Sequence, residues 1–157
     1  MPIIERYNER RHLSTITLSG SVAMRDLEAH NDHRLAQRLV RTADCLWCVE
    51  PGAEFADMTI EKLDAYGERL RALYRSAPLP LARRLAWLCR SERALPFVQH
   101  FLRNRAPDDG LYALPRLVDS IAQAAQWLMV PEDDLVETLT RGAVVAAFPG
   151  EAPTAAA

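Results

Sequence analysis

Near the N-terminus the apolar positions fall in two short runs, and farther along they shift to helical spacing. Ile3–Tyr7 and His12–Ser19 are rich in β-branched residues and flank the polar stretch Asn8–Arg11, which predicts a hairpin ending at Gly20. From Met24 to about Arg41, the residues Met24, Leu27, Leu35 and Leu39 recur near helical spacing, with Asp26, Glu28, Arg34 and Arg38 expected on the wet face. Asp44–Glu50 is a short apolar run stopped by Pro51-Gly52 and reads as a buried strand. Thr59–Ser76 has the clearest helical stripe, formed by Ile60, Leu63, Tyr66, Leu70, Leu73 and Tyr74, with the Thr59 hydroxyl placed to cap it. Gly67 interrupts that helix at a cost of about 1 kcal/mol relative to Ala, which predicts a close packing neighbour.

Pro78 and Pro80 end the segment, and Leu85–Cys89 reads as the next strand. Ser91 is expected to cap a helix reaching about Asn104, with Pro96 early enough to be tolerated. Leu111–Leu114 reads as a short strand, followed by a helix from Pro115 to Met129 and a last helix opened by Pro131-Glu132-Asp133-Asp134. The order predicts a single α/β domain over residues 1–142. Its mixed sheet would have about five strands, an N-terminal antiparallel hairpin plus parallel strands, with four to five helices. Residues 143–157 are expected to form a tail, whose apolar run Gly142–Phe148 could dock on its own core or against a second subunit of a homodimer.

Composition narrows the classes. With 157 residues, 49% of them hydrophobic and 25% charged, the chain can bury about two-thirds of its unfolded surface and needs neither disulfides nor metal to fold. No apolar run approaches the roughly 18 residues of a membrane span, and Met-Pro-Ile-Ile-Glu-Arg does not read as a signal peptide. Three cysteines, an odd number, suggest reduced thiols in the cytoplasm. Of 19 basic residues only Lys62 is a lysine, and the net charge of −2 hides a strong asymmetry. Residues 1–68 carry net −4, residues 69–105 net +8 and residues 106–157 net −6.

Candidate chemistry is sparse. Cys45-Leu-Trp-Cys48, preceded by His30-Asn-Asp-His33, has the string of a zinc site, but strand alternation sends the two thiols to opposite faces. Glu50, Glu54 and Asp57 cluster after a strand, where acid/base groups often lie, yet no His or nucleophilic Ser accompanies them. Asp57 can equally help cap the next helix, and His12 and His100 lack sequence partners and read as structural. Arg83, Arg84, Arg90 and Arg93, with Arg103 and Arg105, could form an anion-attracting patch. Stacking aromatics and a helix-turn-helix are missing, so nucleic acid is not expected as a partner, and no glycine pattern cradles a phosphate. No cofactor or metal is expected.

Four ordered stretches carry a resemblance. They are Arg11–Gly20, Asp44–Glu50 with the Thr59 helix, Arg84-Leu-Ala-Trp-Leu-Cys-Arg-Ser91, and Leu111-Tyr-Ala-Leu followed by Ala124-Ala-Gln-Trp-Leu128. Together they cover about residues 3–130, and the set resembles the STAS-like family, in particular its SpoIIAA-like branch, which is similar to lipid-binding Sec14-type domains. The resemblance implies a non-enzymatic regulatory or protein-interaction module, with binding of a small apolar or anionic ligand as the alternative and catalysis by Glu50, Glu54 or Asp57 ranked last. Where phosphorylated STAS proteins carry Asp-Ser-Ser/Thr-Gly, this chain has Asp57-Met58-Thr59-Ile60, so the resemblance points to Asp57 and Thr59 as the regulatory or partner site. The chain also departs from the family at Ala23, where a hydroxyl residue commonly caps the first helix, and at Val49-Glu50-Pro51, where the strand often ends in Asp.

Overall fold

The computed structural model describes residues 2–37, 42–76, 84–103 and 113–149. The elements run β1 (Ile3–Asn8), β2 (Leu13–Leu18), β3 (Ser21–Val22), α1 (Met24–Ala36), β4 (Asp44–Val49), β5 (Glu54–Phe55) and α2 (Ile60–Arg75). They continue with β6 (Arg84–Cys89), α3 (Leu95–Arg103), β7 (Leu114–Val118), α4 (Ile121–Leu128), α5 (Glu132–Arg141) and β8 (Ala143–Phe148). The α/β class and the mixed sheet are as expected. The sheet has six strands in the order β7-β6-β4-β2-β1-β8, beside a two-stranded β3-β5 ladder.

β1 and β2 form the antiparallel hairpin, and β2, β4, β6 and β7 run parallel. Each crossover steps outward by one strand, so right-handed connections put α1, α2 and α3 on the same face. α4 and α5 return across the other face and deliver β8 to the far edge, antiparallel to β1. The inner strands β2, β4 and β6 are largely buried on both sides. In β4, Cys45 and Val49 belong to the core under α1–α3, whereas Leu46 and Cys48 belong to the core under α4 and α5.

Several expectations need correction. Residues 143–148 are a strand of the sheet, so the domain extends past Gly142 at least to Phe148, and the apolar run docks on its own sheet. Gly142 makes that tight return possible, since a Cβ there would lie 2.5 Å from the Thr138 carbonyl oxygen and 3.2 Å from the Arg6 Cβ. Pro115 does not open a helix. It sits in β7, an edge strand that tolerates its missing N–H, and α4 starts at Ile121 behind the Ser120 cap. Of the strand expected at Leu111–Leu114, only residues 113 and 114 fall among those described. α1 ends at Ala36, and residues 38–41 lie outside the described residues. The Ser91 hydroxyl caps a turn, accepting from the Ala94 N–H, before α3 begins at Leu95; Asn104 lies outside the described residues. Gly67 has only ordinary contacts, with Arg71 Nη1 3.7 Å and Phe101 Cε2 4.0 Å from a Cβ position. Among the described residues no helix is long and apolar enough to cross a membrane.

Candidate functional site

The stripe on α2 has more apolar surface than the fold buries. Of its residues only Leu63 and Leu70 are buried; Tyr66, Leu73 and Tyr74 are half-buried and Ile60 is exposed. Polar links at its flanks hold the helix in place. Arg69 pairs with Glu28 at 3.1 Å and Asp32 at 3.3 Å on α1, and the Tyr74 hydroxyl donates to Asn31 Oδ1 at 2.7 Å. On α3, His100 Nε2 lies 2.7 Å from Asp64. Between this helix and the sheet is a cleft of about 100 Å³, walled by Leu18, Trp47, Leu85 and Trp87 from the strands and by Leu63, Tyr66, Leu70 and Phe101 from the helices. Trp47 and Trp87 are register partners on β4 and β6, and their rings stack at 4.8 Å and 7°.

One wall of the cleft is polar. His30 and Arg34 sit four residues apart on α1, on the face turned toward the sheet, and both line the cleft. Glu5 lies beneath them, fully buried on β1 in phase with Ile3. Its carboxylate accepts from Arg34 Nη1 at 2.5 Å, from His30 Nε2 at 2.8 Å and from the Ser14 hydroxyl. Burial by itself would raise the Glu5 pKa, but the Arg34 guanidinium, His30 and Ser14 outweigh it and hold the carboxyl below its ordinary value. Burial dominates at His30 and pushes its pKa below 6.5, so the ring is neutral at pH 7. The expectation that Asp26 and Arg34 would face solvent fails because both are buried with partners: Arg34 has Glu5, and Asp26 Oδ2 accepts from the Ala23 N–H at 3.3 Å.

The residues singled out by sequence go elsewhere. Asp57 Oδ1 accepts from the Met24 N–H at 2.9 Å, so it caps α1 and replaces the hydroxyl that Ala23 lacks; it does not cap the helix that follows it. Thr59 caps α2 as expected, accepting from the Lys62 N–H at 3.2 Å. The arginine patch is split. Arg84 and Arg90 flank opposite ends of β6, Arg93 pairs with Glu54 at 2.8 Å, and Arg83 lies outside the described residues, as does Arg105. Glu50, Glu54 and Asp57 do not converge, because Glu50 meets the Cys48 thiol, Glu54 meets Arg93 and Asp57 meets α1. Cys45 and Cys48 do face opposite cores, with burial pushing their thiols up to about 12 and about 11. Both nitrogens of His12 are engaged, by the Tyr7 hydroxyl at 2.8 Å and Thr42 at 2.9 Å.

Sequence reasoning missed the polar wall. Two signals for it existed: Glu5 at an inward position of the β1 alternation, and His30 and Arg34 at i, i+4 on the same helical face. No family model, curated protein or solved structure matches the chain.

Proposed function

We propose that this protein is a non-enzymatic STAS-like module of the cytoplasm that binds a small apolar molecule in the cleft between the sheet and the α1–α3 layer. One observation carries the reading. A helix with an underused apolar stripe spans a cleft of about 100 Å³ whose walls are large, partly buried apolar side chains with a few polar groups converging on one side. A space filled only for stability would be closed by packing, since each void forfeits contacts on its lining.

α2 is at once the outer wall of the cleft and the bearer of the exposed Thr59 cap. That favours a second reading, in which occupancy of the cleft is read by a protein partner at the start of α2. Native mass spectrometry of the purified full-length chain tests the first reading. One small molecule per protomer, lost on organic extraction and excluded by Leu63→Trp, is expected. A bare mass, together with no saturable binding of small apolar compounds, contradicts it.

A further inference from the structure

The two edges of the six-stranded sheet are built differently. At one edge, β7 carries Pro115, which has no N–H to offer, and the exposed Arg116. At the other, Ala143–Phe148 of β8 contain no charge, no proline and no glycine. One side of β8 pairs with β1, with a register shift opposite Glu5 and Arg6, and no described strand pairs with its other side. An edge strand presents a row of unpaired N–H and C=O groups, which proteins usually guard with Lys, Pro or a covering element.

The surfaces beside this edge are open on both faces of the sheet. On one face Phe148 meets the His30 and His33 rings of α1 at 5.9 and 6.0 Å. α1 is joined to α2 along one flank by Glu28, Asn31 and Asp32. Its opposite flank, turned toward the β8 edge, carries Arg25 at its first turn and then Ala29, His33 and Ala36, with both alanines exposed. On the other face of the sheet Val144, the register partner of Arg6, is 56% exposed.

A second copy of this chain fits such an edge. Two β8 strands related by a two-fold axis normal to the sheet run antiparallel, so each supplies the backbone partners that the other lacks. That symmetry sets identical residues near one another, where like charges would repel, and β8 carries none. Val144 is then covered by the partner strand, and the small Ala29 and Ala36 leave room for the partner's helix layer. The contact uses up both β8 edges, and Pro115 guards the two β7 edges left outside, so the assembly closes at two chains.

We propose that the protein forms a two-fold homodimer by antiparallel pairing of β8 with the β8 of a second copy, which joins two six-stranded sheets into one. The dimer goes beyond the ligand-binding reading and does not depend on it.

Sedimentation velocity on the full-length chain, over a series of micromolar concentrations, tests the pairing. A species of twice the 17.7 kDa chain mass is expected. Val144→Lys places a guard residue at an exposed site and brings two ammonium groups together across the axis, so it weakens the dimer at least about tenfold. Val144→Thr, and Leu114→Lys with the same charge on the β7 edge, leave the dimer unchanged. Should Val144→Lys fold poorly by circular dichroism, hydrogen exchange on the wild-type chain decides, because the amides of residues 143–148 then slow as concentration rises. A chain that stays at 17.7 kDa overturns the proposal, and so does a mass that keeps rising past two chains. A dimer that Val144→Lys leaves as tight as wild type, or whose β8 amides exchange at the same rate at every concentration, overturns it as well.

Discussion

Under α4 and α5, the strand residues Leu13, Leu46, Leu88 and Val118 close against Ala124, Ala125, Leu128 and Leu135, all of them buried. Under α1–α3, alternate residues of the same strands present Trp47, Leu85 and Trp87 to a cleft, with half-buried Phe97, Phe101 and Tyr66 around it. One face joins small and branched aliphatics, with half-buried Trp127 packed against them. The other sets large flat rings under a helix held at its flanks by Arg69, Tyr74 and Asp64. The buried ionisable side chains follow the same division, because Glu5, His30 and Arg34 all lie on the open face. One sheet thus closes its core on one side and keeps an open apolar cleft on the other.

The comparison can be broken or sharpened by substitution. The largest effect is expected at Glu5→Gln, which leaves the Arg34 charge buried without its partner and costs about 3–5 kcal/mol in urea unfolding. A loss below about 1 kcal/mol would show that the cluster is wetter than its burial indicates. Next, Leu128→Ala on the closed face should cost about 3 kcal/mol. Leu63→Ala, which only widens an existing cleft, should cost less than about 2 kcal/mol. Equal losses would erase the distinction between the faces.

Acid should unsettle the open face first. The unfolded His30 takes a proton near 6.5, while the folded ring, facing Glu5, Arg34 and His33 and packed edge-on to Trp47 and Phe148, resists protonation to lower pH. The unfolded state then binds more protons, so stability falls as pH drops below about 6.5. Glu5 adds to the loss below its ordinary 4.5, since its folded form stays ionised to lower pH. Urea midpoints measured from pH 7.5 to 4 should decline, and His30→Gln should flatten the arm between 6.5 and 4.5. The smallest effect is at Thr59→Ala, about 1 kcal/mol by thermal unfolding, recovered by Thr59→Ser because either hydroxyl caps α2.

Local signals were enough for the hairpin, the Thr59 cap, the strands expected at Asp44–Glu50 and Leu85–Cys89 and the opposed thiols, because strand periodicity and capping act within a few residues. What escaped depends on distant partners. Arg34 reads as a solvent residue until Glu5, on the first strand, is known to lie beneath it. Asp57 reads as a cap for the next helix until α1 is seen to start beside it. β8 reads as a tail because its pairing partner is the first strand of the chain. Pro115 reads as a helix start because nothing local marks β7 as an edge.

Xenon tests the division of the faces most directly, since it enters apolar space without needing hydrogen bonds. A crystal of the full-length protein pressurised with xenon should show a single strong site between Leu63, Leu70 and Trp87, and none beneath α4 and α5. No site under α2, or one only among Leu46, Leu88 and Leu128, would contradict the account.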